Sequence, residues 1–383
     1  MQQTTTPRMP LQVGVLGAGM IATVDYGFLP GLQRMSDRAQ VVAIASRTRS
    51  RAESVARDWQ IPHVYDDLDS MLEQADVDVV LNLTPIADHF STSRRILQAR
   101  KHLVTEKPLA STLDEATELC ELAQRHGLRV VCCPYDMLRP EWLEARKLVQ
   151  SGALGKVAFA RVQSSHAGPA AMSWPADPTW FYQTGAGPLL DMGVYGIDRI
   201  TGVLGPARRV TAFSGRTAPI RYARGGPFDG LKIEVTEDDN NLVLLDFGDA
   251  TFAVVDGTFN VVASKAPQME LYGLQGTLLV RRPGAEIPSG ELPLELYRID
   301  AAPGFDGWIT PRGVGHLPRQ DRTTGLFRAA LVDHLVECLR TGAGPGLVGP
   351  ERARHVLEIM LAARVSARDG RAVELQTTFA EPT

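Results

Sequence analysis

The chain has 383 residues, of which 44 % are hydrophobic and 22 % charged, the composition of a globular protein large enough for two domains. A formal net charge of -4 lacks the basic excess that nucleic acid or an anionic membrane surface demands, so neither is expected as a partner. No apolar run is long enough to cross a bilayer.

In chain order, the leader Met1–Pro7 is polar and lacks the apolar core of a signal peptide, so a cytoplasmic location is expected. Residues 12–17 read as a strand and 20–35 as a helix, with Gly17-Ala18-Gly19-Met20-Ile21-Ala22 between them. A second apolar strand over 41–45 leads to a helix over 49–59 with Ser50 as its N-cap, then a short helix over 67–74. Strands over 77–83, 102–106 and 128–133 alternate with helices over 88–100 and 113–126, the latter closed by Gly127. Apolar strands alternating with helices predict a parallel, doubly wound sheet buried on both faces, here called domain 1–133.

After Pro134 the rhythm changes, and 134–383 is read as an α+β domain. Helices are expected over 142–150 and 188–204, and strands over 157–166, 207–215, 231–237, 241–247, 250–258 and 268–281. Strands following one another without helices between them predict an open, mainly antiparallel sheet. The Pro- and Gly-rich stretch 283–322 reads as an insertion or arm, and helices over 323–340 and 350–368 close the chain. Four cysteines (Cys120, Cys132, Cys133, Cys338) show no metal-ligand spacing, so no metal is expected and the thiols are read as reduced.

Chemistry concentrates where the parallel strands end, because ligands of such sheets bind beyond the carboxyl ends. Gly17 permits a sharp turn, and Gly19 lets the N–H groups of Met20 and Ile21 approach a pyrophosphate. At the second strand end stand Ser46 and Arg47 with no carboxylate before Glu53, which suits a ribose 2′-phosphate better than a free diol. NADP(H) is therefore favoured, with NAD(H) the alternative if Arg47 merely stacks on adenine. Thr84-Pro85 and Glu106-Lys107-Pro108 occupy the next two strand ends. Pro108 biases Lys107 away from helical angles and presents its ammonium at the ligand edge. In 185–198, Pro188 opens a helix that carries Asp191 and Tyr195 four residues apart on one face, with Gly193 leaving room for a close approach. The aromatic group Trp174, Trp180, Phe181 and Tyr182, together with His166, precedes that helix, and Trp174, Trp180 and His166 are candidate substrate contacts. Packing under a loop explains Phe181 and Trp180 at least as well.

These pieces occur in the same order as in the glucose–fructose oxidoreductase/inositol dehydrogenase/rhizopine-catabolism (Gfo/Idh/MocA) family, which the chain resembles over nearly its whole length. The resemblance rests on Gly17–Ala22, Thr84-Pro85 with His89, Glu106-Lys107-Pro108 and the run from Gly187 to Tyr195. It implies a Rossmann domain followed by an α+β domain, with cofactor contacts from Gly17, Gly19, Met20, Ile21, Ser46, Arg47, Thr84, Pro85, His89, Glu106 and Lys107. It also implies hydride transfer between nicotinamide and a sugar, sugar derivative or polyol. Lys107, Asp191 and Tyr195 match the family's catalytic positions, and with His166, Trp174 and Trp180 they would meet the substrate. Tyr195 stands where many members have His, which is similar to the branch of glucose–fructose oxidoreductase and dihydrodiol dehydrogenase. The run Cys133–Arg139 departs from the family pattern, so substrate contacts there are not carried over. By analogy a homodimer or homotetramer is expected. Two other functions compete: an enzyme that retains its nicotinamide and cleaves or isomerises a glycoside without net redox change, and a non-catalytic dinucleotide-binding regulator. Intact Lys107, Asp191 and Tyr195 weigh against the regulator.

Overall fold

The computed structural model describes residues 9–282, 292–309 and 325–380. They form two compact units. The first holds the chain up to Leu138 and a returning segment that ends at Leu357; the second begins at Arg139 and resumes over Glu358–Phe379.

In the first unit, β1 (Leu11–Leu16), β2 (Ala39–Ala45), β3 (His63–Tyr65), β4 (Val79–Asn82), β5 (His102–Thr105) and β6 (Val130–Cys132) form one sheet. Their order is β3-β2-β1-β4-β5-β6, and every pairing is parallel. The order reverses between β1 and β4, so the crevice of a Rossmann sheet opens beyond the carboxyl ends of those two strands. Val13, Val15, Leu81 and Val104 are fully buried, which is why these strands read as apolar runs without alternation. β3 was not expected, because three residues are too few to show a period. The returning helix Ala330–Thr341 sends Leu331, Val332 and Leu335 into the same core as Val13 and Leu81.

Helix starts follow local chemistry. Thr112 and Glu115 form a reciprocal capping box for Leu113–His126, and Gly127 closes that helix in the left-handed region at φ 65°. Two expectations need correction. The helix expected over 20–35 is two short ones, Met20–Thr23 and Leu29–Arg34. Val24 turns extended at ψ 158°, and the chain then passes so close to itself that a Cβ on Gly27 would strike the Ile21 carbonyl. The N-cap of Arg49–Trp59 is Thr48, not Ser50.

In the second unit, nine strands form a mixed, mainly antiparallel sheet. They are β7 (Val157–Val162), β8 (Arg209–Gly215), β11 (Asn240–Gly248), β12 (Thr251–Thr258), β13 (Met269–Gly273), β14 (Gly276–Val280), β15 (Leu294–Ala302), β16 (Phe305–Ile309) and β17 (Val373–Glu374), with a separate small hairpin of β9 (Ile220–Tyr222) and β10 (Lys232–Glu234). Among the described residues the order is β16-β15-β14-β13-β7-β12-β11-β8-β17, and only β7 and β12 run parallel. The strand expected over 268–281 is the hairpin β13–β14, since the chain turns beyond Gly273, where a Cβ would collide with the Leu154 carbonyl. Within the stretch read as an arm, residues 292–309 are the hairpin β15–β16 at the sheet edge; 283–291 and 310–322 lie outside the described residues. One face of this sheet buries Val243, Leu245, Ala253 and Val255, while the other leaves Phe213, Leu242, Leu244 and Phe252 exposed. Among the described residues, no helix is long and apolar enough to cross a membrane.

Candidate active site

In the first unit, Gly17 adopts φ 112°, and a Cβ there would sit 2.8 Å from the Leu83 carbonyl oxygen, so both conformation and space require glycine. Gly19 caps Met20–Thr23, and a Cβ at Gly19 would meet nothing within 4 Å. Ala22 is fully buried, the small residue that packing at this place calls for. Because the helix is a single turn, its dipole contributes little, and an anion here would depend on direct N–H contacts.

Beneath the strand ends lies a polar lattice. Asn82, fully buried at the end of β4, donates to Thr92 Oγ1 at 2.7 Å and Ser93 Oγ at 2.9 Å, and accepts from Thr84 Oγ1 at 2.7 Å. His89, expected at the cofactor, is 1 % exposed. Its Nδ1 faces the Pro108 carbonyl at 2.7 Å and its Nε2 the Thr84 carbonyl at 2.9 Å. Burial holds its pKa below the ordinary value against the pull of those two acceptors. The neutral ring donates to one of these carbonyls and packs against the other, so His89 lies between the Thr84-Pro85 and Lys107-Pro108 turns.

Glu106 is 8 % exposed. Arg328 Nε donates to its Oε1 at 2.6 Å, and the Lys107 backbone N–H donates to Oε2 at 3.2 Å. Burial alone would push this carboxyl up, but Arg328 and Lys107 hold it below its usual range. The Cys133 thiol approaches the same Oε1 at 3.5 Å and is pushed well up, first by burial and then by that carboxylate. Arg328 also donates to the Tyr26 carbonyl at 3.2 Å and lies 5.5 Å from the Tyr26 ring centre. At the end of β2, the Ser46 hydroxyl accepts from the Thr48 N–H at 3.3 Å, and the Arg47 side chain is 80 % exposed with Asp88 3.5 Å away.

In the second unit, Asp191 lies within a helical irregularity and Tyr195 just beyond it. Residues Leu189–Gly193 wind as a π-turn that passes into the α-helix Val194–Leu204. At the junction the Ser164 hydroxyl donates to the Met192 carbonyl and accepts from the Gly196 N–H at 2.9 Å. The simple four-residue α-helical spacing expected between Asp191 and Tyr195 is thus broken between them. Gly193, expected to leave room for a ligand, packs against the sheet, its ideal Cβ 3.7 Å from Gly257 Cα. The Arg199 guanidinium lies 5.7 Å from the Tyr195 ring centre and 5.2 Å from that of Trp142. With the Gln268 amide oxygen turned toward it, Arg199 donates at 2.7 and 3.1 Å.

The aromatic group forms one neighbourhood. Trp180, 49 % exposed, leans on Phe181 at 4.1 Å, and Trp174 meets Phe181 edge-on at 5.5 Å. Phe181 and Tyr182 are core residues, with Met192 packed against their cluster. His166 stacks on Phe259 at 5.3 Å and accepts the Gly168 N–H at Nδ1, 2.8 Å away, which places the proton of the neutral ring on Nε2. The Tyr182 hydroxyl is raised by burial, with Asp191 adding to the effect.

Sequence reasoning missed Asn82, Ser164, Arg199 and Arg328. Asn82 alone left a signal, a polar residue closing an otherwise apolar strand.

Comparison with known proteins gives a consistent picture. A family model described as an oxidoreductase family with an NAD-binding Rossmann fold (GFO_IDH_MocA) matches residues 11–132, and a GFO/IDH/MocA C-terminal domain model matches residues 142–279. The uncharacterized oxidoreductase YhhX of Escherichia coli is 30 % identical over 299 residues, 78 % of each chain. The scyllo-inositol 2-dehydrogenase (NAD(+)) of Bacillus subtilis is 24 % identical, covering 95 % of this chain and 96 % of its own. Among solved structures, levoglucosan dehydrogenase in complex with NADH has the same fold, with a TM-score of 0.80 at 21 % identity over 96 % of this chain and 99 % of that one.

Proposed function

The chain belongs to the Gfo/Idh/MocA family of oxidoreductases, and from that premise we propose that it transfers a hydride between a nicotinamide dinucleotide and a hydroxyl- or carbonyl-bearing carbon of a sugar, sugar derivative or polyol. Lys107 carries this reading. Its ammonium follows β5, two strands along from the Gly17–Gly19 turn, on the ligand edge of a dinucleotide-type sheet. The nicotinamide, when bound, supplies or accepts the hydride. Tyr195 exchanges the hydroxyl proton as general acid or base. Lys107 stabilises negative charge on the reacting oxygen. Asp191 orients a second substrate hydroxyl. His166, Trp174 and Trp180 offer a polar tip and apolar faces that suit a sugar ring.

NADP(H) is favoured over NAD(H). The β2 end offers Ser46 and an exposed Arg47, while Glu53 is engaged by Arg49 at 2.8 Å. Asp88 beside Arg47 supports NAD(H) as the second reading, as do the relatives whose names carry NAD(+) or NADH. The exposed apolar face of the nine-stranded sheet supports assembly into a homodimer or homotetramer. Four buried cysteines that form no disulfide with one another fit a reducing, cytoplasmic setting.

A screen of sugars, sugar acids and polyols with NADP and NAD, read at the reduced-nicotinamide band, tests the activity. Tyr195→Phe is expected to lower turnover by about a hundred- to ten-thousandfold. Full turnover in that variant would remove Tyr195 from the acid/base role.

A further inference from the structure

We infer that Asp88 sets how well this chain accepts a 2′-phosphate on its dinucleotide, by holding Arg47 in an ion pair that the phosphate must share. The inference rests on the dinucleotide reading above and adds a residue that the β2 motif does not contain. Three cationic side chains, Arg47, Arg49 and Arg51, lie just beyond the end of β2. Arg49 is committed elsewhere, its Nε 2.8 Å from Glu53 and its Nη1 2.9 Å from Asp66. Arg47 is the side chain at the strand end itself, 80 % exposed, and its Nη1 lies 3.5 Å from Asp88 Oδ2.

Asp88 reaches this place from another crossover. It stands in the first turn of the helix Ile86–Gln98, directly after the Thr84-Pro85 turn. Its backbone carbonyl accepts from Thr92 Oγ1 at 2.6 Å, which fixes the turn that presents the carboxylate. Arg47 and Asp88 together sum to no net charge. A ribose diol is indifferent to that sum. A 2′-phosphate, with nearly two negative charges at neutral pH, is drawn by Arg47 and repelled by Asp88. Removing the carboxylate leaves Arg47 its full attraction. At roughly 5 Å in a water-like medium with physiological screening, the effect on phosphate binding is about three- to tenfold.

The test uses the full chain and the fluorescence of NADPH and NADH on titration into wild type, Asp88→Asn, Arg47→Gln and the double variant. Competition by 2′,5′-ADP against 5′-AMP isolates the phosphate contribution. Asp88→Asn is expected to bind NADPH about three- to tenfold more tightly, with NADH within about twofold of wild type, and the gain is expected to shrink with added salt and to vanish in the double variant. An unchanged NADPH-to-NADH ratio in Asp88→Asn, or a gain that survives Arg47→Gln, overturns the inference while leaving dinucleotide binding intact. Binding of neither dinucleotide by any of the proteins overturns the dinucleotide reading itself, and the inference with it. Equal melting temperatures for wild type and Asp88→Asn show that the comparison is between folded proteins.

Discussion

A buried carboxylate such as Glu106 loses its hydration on folding, and it keeps its charge here because Arg328 Nε lies 2.6 Å away. Both side chains are 11 % exposed, so water screens little of that attraction. Replacing Arg328 by Met strands the carboxylate and is expected to cost about 3–5 kcal/mol in urea unfolding. Adding Glu106→Gln to that variant removes the stranded charge and is expected to recover much of the loss. A loss below about 1 kcal/mol in the single variant would mean that the pair does little for the fold. At this scale the sequence was only partly readable. Gly17, Gly19, Glu106 and Lys107 announce themselves by type and spacing, whereas Arg328 lies 222 residues from its partner, and no local pattern connects the two.

Among the elements, the segment that carries Asp191 and Tyr195 is the instructive one. Its residues read as one helix, and helical it is, but its first turn is wound as π, and Ser164 from beyond β7 bonds the Met192 carbonyl and the Gly196 N–H where that turn passes into the α-helix. The helix can lie so close to the sheet only because Gly196 has no side chain. A Cβ there would sit 2.7 Å from Val255 Cγ1 and 2.8 Å from Ser164 Cβ. In an exposed helix, Gly→Ala stabilises by about 1 kcal/mol. At position 196 overpacking wins, and Gly196→Ala is expected to lower stability by about 1–2 kcal/mol net and to reduce turnover by displacing Tyr195. An unchanged or raised melting temperature would show that the helix can shift freely. The same lesson holds for the expected 20–35 helix: its periodicity was sound, but Gly27 packs against the backbone of the preceding turn and splits it.

For the whole molecule, the open face of the nine-stranded sheet is the feature with the largest consequence. Phe213 is 80 % exposed and Leu242 49 %, and they stand directly opposite one another across β8 and β11. Apolar side chains aligned in this way suit an interface of about 800 Å² per partner. The double variant Phe213→Glu, Leu242→Glu is expected to halve the mass found by light scattering after size exclusion, because one such face joins two copies. A wild-type chain that runs as a monomer would remove the proposed assembly.

Alternation of apolar runs with helices, and the later succession of strands, make both fold classes readable in the sequence, because burial on two faces or on one leaves its own period in the chain. The strand-end groups were readable for a related reason: a parallel sheet always presents its ligand edge at the same ends. Tertiary packing alone decided the rest. It returned Leu331, Val332 and Leu335 to the first core, made the Pro- and Gly-rich residues 292–309 an edge hairpin, and set Arg328 on Glu106, Ser164 in the helix ladder and Asp88 on Arg47. Each of these joins groups far apart along the chain. Such contacts depend on where whole elements pack, a property that no local window of residues carries.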